Sequence, residues 1–475
     1  MRDVYIIGVG MLRFGKFPNR SIKDLSAQAL NAALNDAELA AEDIEALWFA
    51  NSGWGMNGGQ DSIRGQVALR PIGVESIPII NVENACAGGS TALNGAWLGV
   101  ASGAFEVGVA LGAEKVFQPD KLKMFAGFLG ALDVENLPEL LKQAEEISKT
   151  AAPIPERPRS NGKHKSPAER LKGIGEKLEE LPTLIRDVIV IADRYNLDLS
   201  GMVKENLGKR LKNGKGGNGA SGGGLQHSPF MDVYSVAARR HMQKYGSTQQ
   251  QLALIAAKNH HHSSLNPLAQ IQKDMTPEQV LADRLISYPL TRPMCAPVGD
   301  GAAAAVVCSG AFLRKHGKKR AVKILASVIA SGRTRSEDEA DIGERASKIA
   351  YNKAGIGAND VSLAEVHDAT AYGELHQSEA LGFCEHGMGG VLAESGATRI
   401  GGRIPLNTSG GLESRGHPIG ASGLAQICEV VTQLRGEAGA RQVEGARIGL
   451  TQNGGGALGV EEAAMGIHLL EAPSA

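Results

Sequence analysis

Asn84-Ala85-Cys86-Ala87-Gly88-Gly89-Ser90 follows directly on the apolar run Ile79 to Val82 and leads into Thr91 to Val100. The run reads as a buried strand, and the stretch after the turn has helical periodicity. Cys86 therefore falls where a strand turns into a helix. Its small neighbours leave room for a bulky reactant. A helix N-terminus offers unpaired N–H groups and a partial positive charge, and both favour a thiolate. The expectation is a thiol held below its usual pKa of ~8.5 and competent as a nucleophile. The other reading is an inert buried cysteine, which is common.

Outward from this block, strands and helices alternate. Val4 to Val9 reads as a strand, Ser21 as the N-cap of an amphipathic helix, and Leu47 to Ala50 and Val107 to Leu111 as further strands. A second series follows. Val322 to Ile329 reads as a strand, Ile342 to Ala354 as a helix, and Leu363 to Val366 as a strand. Gly420 to Leu434 reads as a helix, Ile448 to Thr451 as a strand, and the last strand lies within Val460 to Leu470. Alternation of this kind predicts an α/β core with covered, mainly parallel strands. Each series places a reactive residue where a loop enters a helix, which suggests an internal duplication.

Two histidines raise the weight of Cys86. His417 sits in a loop of turn residues, Asn407-Thr408-Ser409-Gly410-Gly411-Leu412-Glu413-Ser414-Arg415-Gly416-His417-Pro418, just before a helix. Pro418 fixes the backbone beside it. His367 ends a strand in Glu365-Val366-His367-Asp368-Ala369, a place that faces the site in an α/β sheet. A cysteine beside one or more imidazoles is an arrangement that activates a thiol. Either histidine alone could equally be a hydrogen-bonded structural residue. His260, His261 and His262 show this, since three in a row cannot all face one site. A Gly run, Gly454-Gly455-Gly456, offers bare N–H groups to an oxyanion.

The chain has 475 residues, enough for two or three domains of roughly 150 each. Its net charge of −1 gives no electrostatic reason for a nucleic-acid or membrane-surface partner. No apolar stretch reaches the ~20 residues that span a bilayer. Five widely spaced cysteines, with no CxxC, argue against a disulfide framework or a zinc site. These features predict a cytoplasmic protein with reduced thiols and no resident metal.

A different region runs from about Asn136 to His227. It contains the Pro-rich Ala152 to Pro158 and a basic, Gly-rich run from Lys209 to Gly217. Such edges mark linkers or loops. The region reads either as a solvated insertion or as a lid that holds a phosphate-bearing cofactor or a partner subunit.

Taken together, these blocks resemble the thiolase superfamily, and in particular its sterol-carrier-protein-type branch with bacterial and archaeal acetyl-CoA acetyltransferase-like members. The Asn-x-Cys-x-Gly-Gly block at Cys86, the His-Asp block at His367, the Gly-His-Pro block at His417 and the C-terminal Gly run occur in the family's order. Tyr234 to Asn266 and Pro297 to Ala303 also look familial. The resemblance implies an α/β thiolase fold, duplicated halves in a five-layer αβαβα arrangement with a large inserted loop domain, and usually a dimer. The expected division is 1–133 for the N-terminal half, which carries the nucleophile, and 134–230 for the inserted loop region. Residues 231–315 would complete the loop domain and the N-terminal half, and 316–475 would form the C-terminal half.

The resemblance also implies roles. Cys86 would be acylated, and His417 would take its proton. His367 and His417 would hold the thioester oxygen during the Claisen step. The N–H groups of Cys86 and Gly454 would form a second oxyanion hole. Coenzyme A is expected as a substrate, with no permanently bound cofactor. Lys209, Arg210, Lys212 and Ser409 are candidates for its binding. A small partner with a zinc ribbon and an oligonucleotide-type (OB-fold) β-barrel is a further expectation.

One departure stands out. Thiolases carry a second cysteine, either just before the C-terminal Gly run or two residues after the His-Asp histidine. Here those places hold Gln452-Asn453 and Ala369. A histidine is expected to take over that proton transfer. The leading expectation is a 3-oxoacyl-CoA thiolase, for β-oxidation or for lipid or aromatic acid metabolism, with a benzoylsuccinyl-CoA-like thioester among the candidates. The alternatives are a thiolase-fold C–C lyase acting as a retro-aldolase, a decarboxylating condensing enzyme, and a non-catalytic scaffold subunit.

Overall fold

The structure, a computed structural model, describes residues 1–120, 124–125, 127–133, 135, 227–228, 230–317, 319–336, 338–458 and 461–473. Its strands are β1 (Val4–Met11), β2 (Ala46–Ala50), β3 (Ile79–Val82), β4 (Val107–Lys115), β5 (Leu285–Ser287), β6 (Leu290–Thr291), β7 (Asp300–Ser309), β8 (Val322–Ser331), β9 (Leu363–Glu365), β10 (Ile448–Gly455) and β11 (Ala464–Glu471). The helices that matter for the site are α1 (Ile22–Ala37), α2 (Gly88–Ser102), α3 (Phe230–Tyr245), α4 (Gln249–Ser264), α5 (Ile342–Ala354), α6 (Ala371–Ala380) and α7 (Ser422–Leu434).

Nine of these strands are hydrogen-bonded in the order β3-β2-β4-β7-β1-β8-β11-β10-β9. The link at the centre is thin: β1 meets β8 only at Tyr5↔Lys323 and Ile6↔Val322. Outward from that link the two sides repeat each other. On each side the first strand (β1 or β8) is followed by the last (β7 or β11), then by the strand after a buried helix (β4 or β10), then by β2 or β9. This repeat is the duplication that the sequence suggests. The expectation of mainly parallel strands is corrected. Only β2–β3, β2–β4 and β9–β10 are parallel, and the pairings around β7 and β11 are antiparallel. An apolar run buried on both faces reads alike in either direction, so the sequence carries no signal for it.

Five layers follow from the packing. Leu25, Ala29, Leu30 and Ala33 of α1 cover one face of the first half-sheet against Ile7, Val109 and Val306. Ser21 caps that helix in a reciprocal box with Asp24, a device worth about 1 kcal/mol. Each large apolar side chain so buried contributes on the order of 1.5–3 kcal/mol. Ile342, Ala346 and Ala350 of α5 cover the outer face of the second half-sheet against Val328, Ile467 and Leu469. Between the half-sheets lies a shared layer, with Ala92, Leu93 and Ala96 of α2 against Leu424, Ala425 and Ile427 of α7.

The two central helices touch near their N-termini because small residues line the crossing. A Cβ on Gly89 would lie 2.9 Å from the Leu424 nitrogen, and one on Gly423 would lie 2.6 Å from the Ser90 nitrogen. The blocks around Cys86 and His417, far apart in sequence, are brought together by this crossing.

Candidate active site

The turn that carries Cys86 is a short 3-10 segment, Ala85–Ala87, placed just ahead of α2. Ala85 adopts a left-handed φ of 46°. For a residue with a Cβ that costs on the order of 1–2 kcal/mol. The Ala85 N–H donates to Glu83 Oε1 at 2.6 Å, and the Ala87 N–H donates to the Asn84 carbonyl at 2.9 Å. Cys86 keeps partial solvent exposure, so a reactant can reach it.

The expected depression of its pKa is corrected. Burial, then the Glu114 and Glu83 carboxylates, push the Cys86 thiol up to about 12. Its own backbone N–H opposes this only weakly. Two nearby negative charges and lost hydration outweigh the partial charge of the helix end. The thiol therefore rests protonated and needs a base.

His417 supplies the nitrogen. Its Nε2 lies 3.2 Å from Cys86 Sγ, and its Nδ1 lies 2.6 Å from Ser422 Oγ. Ser422 has a single hydroxyl proton and donates it to the Pro418 carbonyl at 2.9 Å. Its lone pair must then accept from Nδ1–H. This leaves the Nε2 lone pair facing the thiol. Burial, His367 and Arg415 hold the ring well below its usual pKa, so it is neutral.

His367 takes the opposite tautomer. The Asn453 amide donates to its Nδ1 at 3.1 Å, and Asn453 Oδ1 accepts from Ser90 Oγ at 3.3 Å. The remaining ring proton therefore sits on Nε2. Burial and Arg415 lower its pKa to about 4. The two rings stand edge to face, with centroids 5.3 Å apart. One ring presents an acceptor and the other a donor. The thiol and one nitrogen of each ring all lie within 4.8 Å of one another.

A buried polar network fixes the loop behind these rings. Asp368 accepts from the Leu412 N–H at 2.7 Å and from Asn259 Nδ2 at 3.1 Å, which ties the end of β9 to the His417 loop and to α4. Arg415 pairs with Glu365 at 3.2 Å, both fully buried. Ser409 belongs to this network. Its Oγ donates to Glu365 Oε2 at 2.6 Å and its N–H to Oε1 at 3.0 Å, and it is fully buried. The expectation that Ser409 binds CoA is corrected: its hydroxyl is spent inside the fold. Lys209, Arg210 and Lys212 lie outside the described residues.

The Gly run divides by face. A Cβ on Gly455 would lie 2.3 Å from the Asn84 oxygen and 2.5 Å from the Ala87 nitrogen, so Gly455 lets β10 press against the nucleophile turn. A Cβ on Gly454 would instead meet the Glu462 side chain at 3.1 Å. Where the family has its second cysteine, Gln452 Oε1 accepts from the His367 N–H at 2.8 Å, and Ala369 is buried. Sequence reasoning missed Ser422, and it named Asn453 and Gly455 without the roles that the structure gives them. It also missed Tyr234 of α3, whose phenol is raised well above 10 by burial and by Glu462 and Cys86.

Residues 4–130 match the model of the thiolase N-terminal domain, and residues 335–465 match that of the thiolase C-terminal domain-like family. Two like α/β halves that join a thiol from one to two neutral imidazoles from the other define an acyltransferase of the thiolase type. The chain belongs to the thiolase family. It is 32% identical to an acetyl-CoA acetyltransferase of Methanothermobacter thermautotrophicus over 96% of this chain and 97% of that protein. It is 34% identical to sterol carrier protein 2 of Bos taurus over 95% of this chain and 69% of that protein. It is 29% identical to the benzoylsuccinyl-CoA thiolase subunit BbsB of Thauera aromatica over 96% and 95%.

Solved structures share the fold. One is an Ltp2-ChsH2(DUF35) aldolase, with a TM-score of 0.66 and 21% identity over 99% of this chain and 98% of that one. Another is the Acat5 thiolase of Ascaris suum in complex with coenzyme A, with a TM-score of 0.60 and 15% identity over 99% and 100%. No helix among the described residues is long and apolar enough to cross a membrane.

Proposed function

We propose that the protein cleaves a 3-oxoacyl-CoA with CoA, or runs the reverse Claisen condensation, through an acyl-enzyme on Cys86. The observation that carries this reading is the 3.2 Å approach of His417 Nε2 to Cys86 Sγ, with the tautomer set by Ser422. The thiol proton passes to His417 as sulfur attacks C3 of the substrate. The C2–C3 bond then breaks. C3 stays on sulfur as a thioester, and the electron pair remains on C2 as the enolate of the departing acyl-CoA.

The His367 Nε2–H and the newly protonated His417 Nε2 hold that enolate oxygen. C2 then takes the proton that His417 carries, which assigns to a histidine the transfer made elsewhere by a second cysteine. CoA gives its thiol proton to the regenerated imidazole and attacks the acyl-enzyme, whose oxygen rests on the N–H groups of Cys86 and Gly454. Acyl-CoA leaves and the Cys86 thiol re-forms.

The likeness to BbsB favours a branched or aromatic β-keto thioester of the benzoylsuccinyl-CoA kind, and hence a role in aromatic or lipid acid breakdown. We assign the protein to the cytoplasm as a homodimer, divided at residues 133/134, 230/231 and 315/316. A small partner subunit of the zinc-ribbon and OB-fold kind belongs to this reading; that the Ltp2-ChsH2(DUF35) aldolase of like fold has a second component supports the presence of a partner. An intact Cys86–His417 pair weighs against the retro-aldol reading, which needs no nucleophilic thiol.

The test is intact mass after incubation with a panel of acyl-CoA and 3-oxoacyl-CoA esters. The expected result is an acyl adduct on the wild type and none on Cys86→Ser. Turnover that persists in Cys86→Ala, with no adduct from any ester, would overturn the proposal.

A further inference from the structure

Thiol and imidazole are also the ligands that a soft divalent metal selects. A four-coordinate zinc has Zn–S near 2.3 Å and Zn–N near 2.0–2.1 Å, which sets its ligand atoms about 3.3–3.6 Å apart. The Cys86 sulfur and a nitrogen of each of His367 and His417 all lie within 4.8 Å of one another, and the sulfur is already 3.2 Å from His417 Nε2. Both rings are buried in the loops that follow β9 and precede α7, while Cys86 keeps partial solvent exposure. Three convergent ligands with one open position make up a catalytic-type zinc geometry rather than a closed structural one.

We infer that Cys86, His367 and His417 form a reversible Zn2+ site that holds the nucleophile in an inactive, metal-capped state. The inference concerns the free enzyme and holds whichever thioester is its substrate. Binding exchanges one proton for one metal ion: the Sγ–H bond breaks, Sγ–Zn forms, and the proton goes to solvent. The Nε2 lone pair of His417 already points at the sulfur.

His367 must give up the proton on Nε2 and carry it on Nδ1 instead. Rotation of the Asn453 amide allows this, provided that the Ser90 hydroxyl turns its proton away and offers a lone pair. Its Oδ1 then accepts from Nδ1–H, and its Nδ2 donates to Ser90 Oγ, so the amide keeps the same two partners. Fixing a ligand's tautomer through its other nitrogen is the usual outer-shell device of zinc sites.

The probe is the metal alone, added to substrate-free enzyme. The expected result is one Zn2+ per chain, with affinity weakened by more than about 100-fold in Cys86→Ala and in His367→Ala, since outer-shell losses alone cost 10–100-fold. Affinity should rise with pH as the thiol proton is released. Co2+ in place of Zn2+ should give a thiolate-to-metal charge-transfer band and the intense visible bands of a four-coordinate ion. Equal Zn2+ binding by wild type and both variants, or a Co2+ spectrum without the charge-transfer band, would overturn the inference. A readout that needs no variant is iodoacetamide labelling of wild-type Cys86. Zn2+ should block it and a chelator should restore it; unchanged labelling under saturating Zn2+ also refutes the site.

Discussion

Asn453 donates its side-chain amide to Nδ1 of His367 at 3.1 Å, and this one contact places the remaining imidazole proton on Nε2. Asn453 sits where the family carries its second cysteine or the residue beside it, and here that place orients His367. Asn453→Leu keeps the volume and removes the donor. With Nδ1 unpartnered, the ring no longer prefers the tautomer that presents N–H to an enolate oxygen. Condensation should slow by about tenfold to a hundredfold, the range for a buried polar group left unsatisfied. Acylation of Cys86 by a simple acyl-CoA, which draws on the other oxyanion hole, should change by less than about threefold, well below that penalty. Equal losses in both half-reactions, measured by single-turnover kinetics, would remove His367 from its assigned place.

Ser422 does for His417 what Asn453 does for His367, with the polarity reversed. Ser422→Ala removes the acceptor of Nδ1–H, and the Nε2 lone pair is then no longer held toward the sulfur. Acylation should slow by about five- to tenfold, the worth of one net hydrogen bond near 1 kcal/mol. Ser422→Thr retains the oxygen and should recover most of the rate. A Thr variant as slow as the Ala variant would point to packing rather than tautomer control.

Both controlling residues were hidden in the sequence for one physical reason. Cys86 and His417 announce themselves through reactive chemistry on small-residue or Gly-rich turns and His367 through its place at a strand end, and the order of these blocks, shared with the family, made their joint role legible. Ser422 and Asn453 act only through the nitrogen that the chemistry does not use. Ser and Asn in turns serve so many local hydrogen bonds that a single sequence cannot single them out. Ser409 shows the reverse case. It looked available in a polar loop, but it closes a buried carboxylate–guanidinium cluster whose members, Glu365 and Arg415, lie apart in sequence. The alternation of strands and helices gave the class and the duplication, while strand direction around β7 and β11 depends on long connections that no local pattern encodes. The helix-end argument for a thiolate at Cys86 failed because burial strips the thiol of its hydration and Glu114 is brought beside it only by the folded chain, while Glu83, three residues away, adds a further negative charge.

That failure has a measurable consequence. With the Cys86 thiol pushed up to about 12 and His417 held well below its ordinary value, the resting pair is neutral. A thiol raised in this way gains thiolate only as pH climbs toward 12. Labelling by iodoacetamide, which reads thiolate, should therefore rise about tenfold per pH unit between pH 7 and 9. An ion pair of thiolate and imidazolium would instead label at a constant rate across that range. Acylation by substrate should lose rate on the acid side only below pH 6.5, where a His417 of lowered pKa finally takes a proton. A plateau in the labelling profile, read by mass spectrometry, would refute the neutral pair.

Glu114 links this electrostatic setting to the architecture. Its carboxylate, buried in the floor of the site, accepts from the N–H groups of Ser52, Gly53 and Gly420 and from the Asn51 amide. The Gly420 contact ties the first half to the turn that follows His417. The same charge is the second cause, after burial, that raises the Cys86 thiol. Glu114→Gln separates the two effects. The amide keeps the shape but turns its NH2 toward two of the N–H donors, so the folded state should lose about 2 kcal/mol or more and melt earlier. Removal of the charge should lower the thiol's pKa, and a half-unit shift corresponds to about threefold faster labelling at pH 7.5. Burial raises the carboxyl's own pKa, and a Glu114 that is already protonated would exert no field. Labelling that stays at the wild-type rate while the melting temperature falls would show that Glu114 is neutral and acts only as a clamp. Labelling that speeds up would show that the site carries a buried negative charge against its own nucleophile, and that His417 works against that charge in every turnover.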